Sequence, residues 1–191
     1  MNRTESAMAV FEAIHEALRA TDKTREPMNA LVIWTELGKG LAGKLERQGA
    51  DPALLKRLCV GYCRDGDGGG APIDLVTWAY RVEPELRLDE REVSAALSRA
   101  VRAIEQRLLG ERGDTGQEER QQEYFMATVR GWFPVGLDIM RSLPTFQRSS
   151  EAELHAALGA WCSRYLPDDP SGPAELGVRM EKHEKHEKHA C

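Results

Sequence analysis

The sequence predicts an all-α protein, a helical bundle of about six to eight helices with a flexible or helical charged C-terminal tail. Apolar residues recur every three to four positions through most of the chain, which is the spacing of one face of a helix. Start and stop signals for helices separate these stretches, and neither a series of alternating strands nor an internal repeat is apparent. Helices that bury their apolar faces against one another account for this pattern.

Three helices are predicted before the glycine-rich stretch at 64–72. The first covers about 4–20 and is followed by the breaker TDKTREP. The second begins at Pro27, a residue suited to a first helical turn, and ends near Gly49. The third follows the cap signal at 51–52. Their apolar faces consist of Val10, Phe11, Ile14, Leu18, Ile33, Leu37, Leu41, Leu45, Leu54, Leu55, Leu58 and Tyr62.

The segment 73–82 fits two kinds of secondary structure. Its Val, Thr, Trp and Tyr residues suit a strand, whereas Leu75, Trp78, Ala79 and Val82 also share one helix face. We favour a helix over this segment and keep a strand as the alternative.

Two capping-box pairs, Asp89 with Glu92 and Ser150 with Glu153, predict the starts of two later helices. Between these two helices, another begins near residue 117 and contains Pro134. Proline lacks the backbone N–H and clashes with the preceding turn. We therefore expect the apolar segment around Pro134 to be kinked or split there.

Turn-forming residues divide the chain into three parts. The sequence GERGDTG at 110–116 separates an N-terminal helical body, 1–112, from a C-terminal helical section, 117–166, that we expect to pack on it. PDDPSGP then leads into a linker and a tail rich in His, Glu and Lys, 167–191.

Composition limits the classes of function. The formal net charge of −5 disfavours a protein that binds nucleic acid by neutralising phosphates. No apolar run approaches the roughly 20 residues of a membrane span. The four cysteines form no dense disulfide framework and no C-x-x-C pair. We therefore expect a cytoplasmic protein without a membrane span and with reduced thiols.

The most specific chemical signal is the C-terminal sequence EKHEKHEKHAC. Imidazole and thiolate groups hold Zn²⁺ and Ni²⁺ well, and a wrapped tail would offer three nitrogens and one sulfur to a tetrahedral ion. A solvated charged end is the alternative, because the Glu and Lys residues form favourable i,i+4 pairs without a metal. The candidate ligands are His183, His186, His189 and Cys191.

Other motifs are incomplete. The sequence GKGLAGK at 38–44 resembles part of a phosphate loop, but Leu45 stands where Ser or Thr is needed, and a helix face runs through it. The acidic loop at 65–70 lacks most of a calcium cage. Glu12 and His15 form one E-x-x-H unit where a di-iron bundle needs two. Acidic residues nearly balance the arginines along 87–112, so this face predicts solvent or partner contact rather than nucleic acid.

These observations lead to a functional expectation with two alternatives. The leading one is a non-catalytic protein that binds another protein or itself, as a regulatory, adaptor or assembly subunit, with Trp132, Phe133 and Phe146 as core or contact residues. The first alternative is a transition-metal accessory protein or metallochaperone that uses the tail, and so Zn or Ni is the only cofactor considered. The second is an enzyme with an unrecognised site, for which Glu12, His15 and His155 are the candidates.

Overall fold

The structure, a computed structural model, describes residues 2–47, 49, 51, 53–65, 73–81, 88–109, 117–166 and 168. Over these residues the chain forms α-helices and one 3₁₀ turn, and no strand occurs in them. The all-α prediction is therefore confirmed. None of the described helices is both long and apolar enough to cross a membrane. The elements are α1 Arg3–Arg19, α2 Asp22–Arg25, α3 Pro27–Arg47, α4 Leu54–Asp65, α5 Ile73–Arg81, α6 Glu90–Leu109, α7 Gln117–Ser142, the 3₁₀ turn Pro144–Phe146 and α8 Glu151–Tyr165.

Side-chain caps fix where several helices begin. Asp89 Oδ1 accepts from the Glu92 backbone N–H, and Glu92 Oε2 accepts from that of Asp89, as predicted for the start of α6. Ser150 and Glu153 form the same reciprocal box at α8. These caps satisfy amide groups that have no partner inside the helix.

The helices pack around one apolar core. Helix α1 lies against α6 and α7, α3 lies against α7 and touches α6, and α4 and α5 both pack on α8. The indole Nε1 of Trp161 in α8 donates to Thr35 Oγ1 of α3 at 2.9 Å, which joins the two groups of helices. The largest side chains of the core are Trp34, Trp132, Trp161, Phe146, Ile14, Leu31, Ile33, Leu55, Ile104, Met140, Leu154 and Leu158.

Helices α3 and α7 cross through a reciprocal pair of tryptophans. The rings of Trp34 and Trp132 stack with centroids 4.2 Å apart and planes 2° from parallel. Trp34 Nε1 donates to the carbonyl oxygen of Trp132 at 2.7 Å, and Trp132 Nε1 donates to that of Trp34 at 2.9 Å. Each ring lies where a side chain would stand on the facing helix, at Gly136 and Gly38 respectively. Both buried indole N–H groups are thus satisfied, and both glycines allow close approach.

The structure tests three local predictions of secondary structure. Segment 73–81 is the helix α5, so the strand alternative is wrong there. Helix α7 continues through Pro134 from Gln117 to Ser142, so a split at this proline is also wrong. The stretch 38–44 lies inside α3, as its leucine repeat predicts, and this rules out a phosphate loop at these residues.

Candidate functional site

A cleft of about 520 Å³ lies on the side of α1 that faces α6 and α7. Positions 12, 15, 16 and 19 share one face of α1, because residues three and four apart in a helix are neighbours. Arg107 near the end of α6 and Asp138 in the last turns of α7 meet this face from the other side. The lining residues are Phe11, Glu12, His15, Glu16, Arg19, Ala20, Arg107 and Asp138.

Arg107 holds one end of the cleft together. Its Nη1 and Nη2 atoms each lie 2.7 Å from a carboxylate oxygen, of Glu12 and Glu16 respectively. The hydrogen bonds that Arg107 donates, first to Glu16 and then to Glu12, raise its pKa above the ordinary value, while burial opposes them. Because both glutamates are more than half exposed, these ion pairs contribute at most about 1 kcal/mol each to stability. Their main effect is to fix the position of the Arg107 guanidinium and of the two carboxylates.

His15 forms the inner wall of the cleft. Its side chain is 14% exposed, and its ring meets the Phe11 ring edge-on with centroids 4.5 Å apart. The Nε2 atom lies 3.1 Å from Asp138 Oδ2, but without the alignment that a hydrogen bond requires. Burial lowers the pKa of His15 below its ordinary value, and Arg19 adds to this effect, while Asp138 opposes it. Burial therefore favours the neutral form of the imidazole.

Asp138 contributes a half-exposed carboxylate to this cleft. Its side chain is 48% exposed, and in the part of the chain that the structure describes, no Lys or Arg nitrogen lies within 4.0 Å of its carboxylate. A neutral His15 does not compensate the charge. A second, smaller cavity of about 140 Å³ lies on the far side of the wall formed by His15, Arg19 and Asp138. A half-exposed carboxylate and an aromatic ring in one cleft are groups that attract a cation.

The aromatic residues expected to serve as core or contact surface belong to the core. Trp132 and Phe146 are fully buried, and Phe133 is half-buried against the core. A contact patch built on Trp132 or Phe146 is therefore ruled out. Among the residues whose burial the structure describes, the exposed large apolar side chains lie on four separate helices and are Met8, Leu58, Tyr80 and Met126.

The predicted metal ligands His183, His186, His189 and Cys191 lie outside the described residues, and so does the acidic loop at 66–70. Within the described ranges, no group of three or more His, Cys, Asp or Glu side chains has the geometry to hold a metal ion. Cys59 and Cys162 are buried thiols.

The enzyme candidates fall in two places. Glu12 and His15 both line the cleft, whereas His155 is buried in α8 with its Nε2 atom 3.8 Å from Glu151 Oε1. The sequence singled out Glu12 and His15 through their E-x-x-H spacing but missed Asp138. Only the packing of α7 on α1 brings Asp138 to His15, and nothing in the local sequence around residue 138 signals this contact.

Comparisons with known proteins found no match for this chain. No protein-family model matches it, and neither the curated proteins nor the solved structures gave a significant match. Its function is therefore inferred from the residues of the chain itself.

Proposed function

We propose that this chain is a non-catalytic, cytoplasmic helical protein, a regulatory, adaptor or assembly subunit, that binds a basic segment of another protein in the cleft between α1, α6 and α7. The observation that carries the proposal is the half-exposed Asp138 carboxylate, which shares the cleft with the Phe11 ring and lies 3.1 Å from the largely buried imidazole of His15. A Lys or Arg side chain from a partner would place its charge at Asp138 and its aliphatic stem along Phe11.

Three further features support a binding role. The chain carries a net charge of −5, which favours a basic partner through long-range attraction. The cleft volume of about 520 Å³ is large enough to accommodate a Lys or Arg side chain of a partner. Arg107 already holds Glu12 and Glu16 in place, so that part of the site is ordered before a partner arrives.

Selection from a random peptide library displayed on phage tests the proposal, because it does not require the partner to be identified first. We expect the wild-type chain to enrich peptides that carry Arg or Lys next to apolar residues. Asp138→Asn should weaken binding of the enriched peptides at least tenfold, and 0.5 M salt should weaken it as well. Asp74→Asn is the matched control, because Asp74 is an exposed aspartate on α5, a helix that packs on α8.

The proposal fails if Asp138→Asn enriches the same peptides with the same affinity, or if the wild-type chain enriches peptides without basic residues. A second copy of this chain is the other partner considered from the sequence. Sedimentation of the wild-type and Asp138→Asn chains over a range of concentrations tests it, since self-association through the cleft should be lost in the variant.

The tail supports a second candidate, a transition-metal accessory protein or metallochaperone. Its support is the set of three histidines at intervals of three residues followed by Cys191, a donor set that suits Zn²⁺ or Ni²⁺. In this case the helical body would dock to a client through the cleft, and the tail would carry the ion. The two candidates therefore differ in which part of the chain is essential.

A further inference from the structure

The crossing of α3 and α7 has an approximate two-fold symmetry. Trp34 and Gly38 in α3 and Trp132 and Gly136 in α7 share the spacing W-x-x-x-G. Each tryptophan donates its indole N–H to the backbone of the other, and each ring covers the other helix's glycine. Exchanging the two helices therefore reproduces the same set of contacts.

The correspondence extends along both helices. The two tryptophans lie 98 positions apart in the chain, and the same interval relates further buried positions of α7 and the residue after it to buried positions of α3. The corresponding pairs are Asn29 with Ala127, Ala30 with Thr128, Ile33 with Gly131, Leu37 with Val135, Leu41 with Ile139, Ala42 with Met140 and Leu45 with Leu143.

The helices before and after this pair also correspond. Helices α1 and α6 share the pattern V-x-x-A-φ-x-x-A-φ, where φ is apolar, with Val10 matching Val93. Helices α4 and α8 each follow a side-chain cap, from Asp51 and Ser150 respectively. Their buried residues correspond too, with Leu55 and Cys59 in α4 matching Leu154 and Leu158 in α8.

The contacts among these six helices follow the same exchange of α1, α3 and α4 with α6, α7 and α8. Helix α1 packs on α6, α3 on α7, and α4 on α8, so each helix touches its own counterpart. The extensive contact of α1 with α7 has a smaller counterpart in that of α6 with α3, and the contact of α3 with α4 corresponds to that of α7 with α8. Helix α2 and helix α5, which packs on α8, have no counterparts among the described helices. A two-fold interface between identical units has this property, because each contact between positions i and j is accompanied by one between j and i.

We infer that the chain contains two equivalent three-helix units, α1-α3-α4 and α6-α7-α8, with α2 and α5 as additions to them, and that the surface by which each unit packs on the other fits a second copy of the same unit. The two units pack against each other as the subunits of an entwined homodimer do. Helix α1 makes its main contacts with α6 and α7 of the other unit, so neither unit encloses a core of its own.

The two units have diverged at the candidate cleft. In the register that matches Val10 with Val93, the counterpart of His15 is Ser98, and in the register of the tryptophans that of Asp138 is Gly40. Only one of the two symmetry-related places therefore carries the histidine and the aspartate. Gly131 likewise lets α1 approach α7 closely, whereas its counterpart in α3 is Ile33, which carries a buried side chain.

Matched substitutions in the full chain test the equivalence. Trp34→Phe and Trp132→Phe each remove one indole hydrogen bond, and Leu55→Val and Leu154→Val each remove one buried methylene. Both pairs are conservative enough to fold. We expect the two members of each pair to lower the Tm by the same amount, within about 2 °C. A shift in one member at least three times that of its counterpart, in both pairs, would overturn the equivalence.

Cleavage tests whether the units behave as entwined subunits. A protease site placed at 82–87 of the full chain allows it to be cut between α5 and α6 under native conditions. We expect the two fragments to elute together at the mass of the intact chain and to unfold in a single urea transition. Recovery of either fragment as a folded monomer after separation would show that the units are independent domains and would overturn the inference.

Discussion

The stacked rings of Trp34 and Trp132 leave no room for a side chain at Gly38 and Gly136. A methyl group at Gly38 would overlap the Trp132 ring, and one at Gly136 would overlap the Trp34 ring. Alanine favours a helix by up to about 1 kcal/mol over glycine, but overpacking a close contact costs about 1–3 kcal/mol. We therefore expect Gly38→Ala and Gly136→Ala to lower the free energy of unfolding, measured in urea.

Two other glycines of α3 provide the control for this prediction. A methyl group at Gly40 or Gly43 would meet no atom within 4 Å. Gly40→Ala and Gly43→Ala should therefore raise the free energy of unfolding by up to about 1 kcal/mol through helix propensity alone. If all four variants changed stability in the same direction, close approach at the tryptophan crossing would not be the reason for Gly38 and Gly136.

His15 makes stability depend on pH in a definite direction. An imidazole in the unfolded chain titrates near pH 6.5, whereas burial lowers the pKa of His15 in the folded protein. Between these two values the unfolded state binds more protons, so the free energy of unfolding falls as the pH drops below about 6.5. We expect this loss between pH 7.5 and 5.5 to be smaller in His15→Gln than in the wild-type chain.

A titration of His15 followed by NMR measures the pKa itself. We expect a value below that of a model imidazole and a further decrease in Asp138→Asn, because the Asp138 carboxylate favours the protonated ring. A His15 pKa at or above about 6.5 would mean that the carboxylate outweighs burial. The cleft would then hold an imidazolium paired with Asp138. The protonated His15 would itself occupy the proposed cation site.

At the scale of a helix, Pro134 tests how much α7 depends on its packing. The residue is exposed in the middle of a continuous helix, where a missing N–H and ring strain cost about 3 kcal/mol. Pro134→Ala should therefore raise the free energy of unfolding by about 2 kcal/mol, as measured in urea. A decrease would instead show that the local shape imposed by proline is needed to place Trp132 and Gly136 against α3.

Helix α7 shows why helices were easier to predict from the sequence than breaks within a helix. The leucine repeat of α3 and the caps of α6 and α8 are local signals, and each has a local cause in side-chain spacing or backbone hydrogen bonding. The effect of Pro134 depends instead on the rest of the molecule, because contacts of α7 with α1 and α3 hold the helix together on both sides of the proline. Propensity alone overestimated its effect.

At the scale of the whole molecule, the site could be predicted only in part. The E-x-x-H spacing identified Glu12 and His15, and both line the cleft. Asp138 and Arg107 come from helices distant in the chain, and their positions follow from how α1 packs between α6 and α7. The reciprocal crossing was missed for a similar reason. The repeat is carried by a few apolar and small residues, which become a pattern only when their contacts are compared.

The tail prediction concerns the chain as a whole. Among the described residues, the buried apolar side chains run from Val10 to Leu166. Removing residues after Met180 deletes three imidazoles and one thiol and leaves every core side chain that the structure describes in place. We expect the full chain to bind Zn²⁺ or Ni²⁺ in titration calorimetry at neutral pH and to lose affinity below about pH 6.5, as the imidazoles become protonated. The truncated chain should lack this binding and keep the Tm of the metal-free full chain.

A full-length variant distinguishes metal binding by the histidines from an effect of shortening the chain. Changing His183, His186 and His189 to Asn keeps Cys191 and all the Glu and Lys residues of the tail. Loss of binding in this variant would assign the ion to the imidazoles, because the charged residues remain. Unchanged binding in the truncated chain would refute the tail site and direct the search to the helical body. A metal carrier would also have to lose its ion to its client, whereas an adaptor that uses the cleft should bind its partner equally well without the tail.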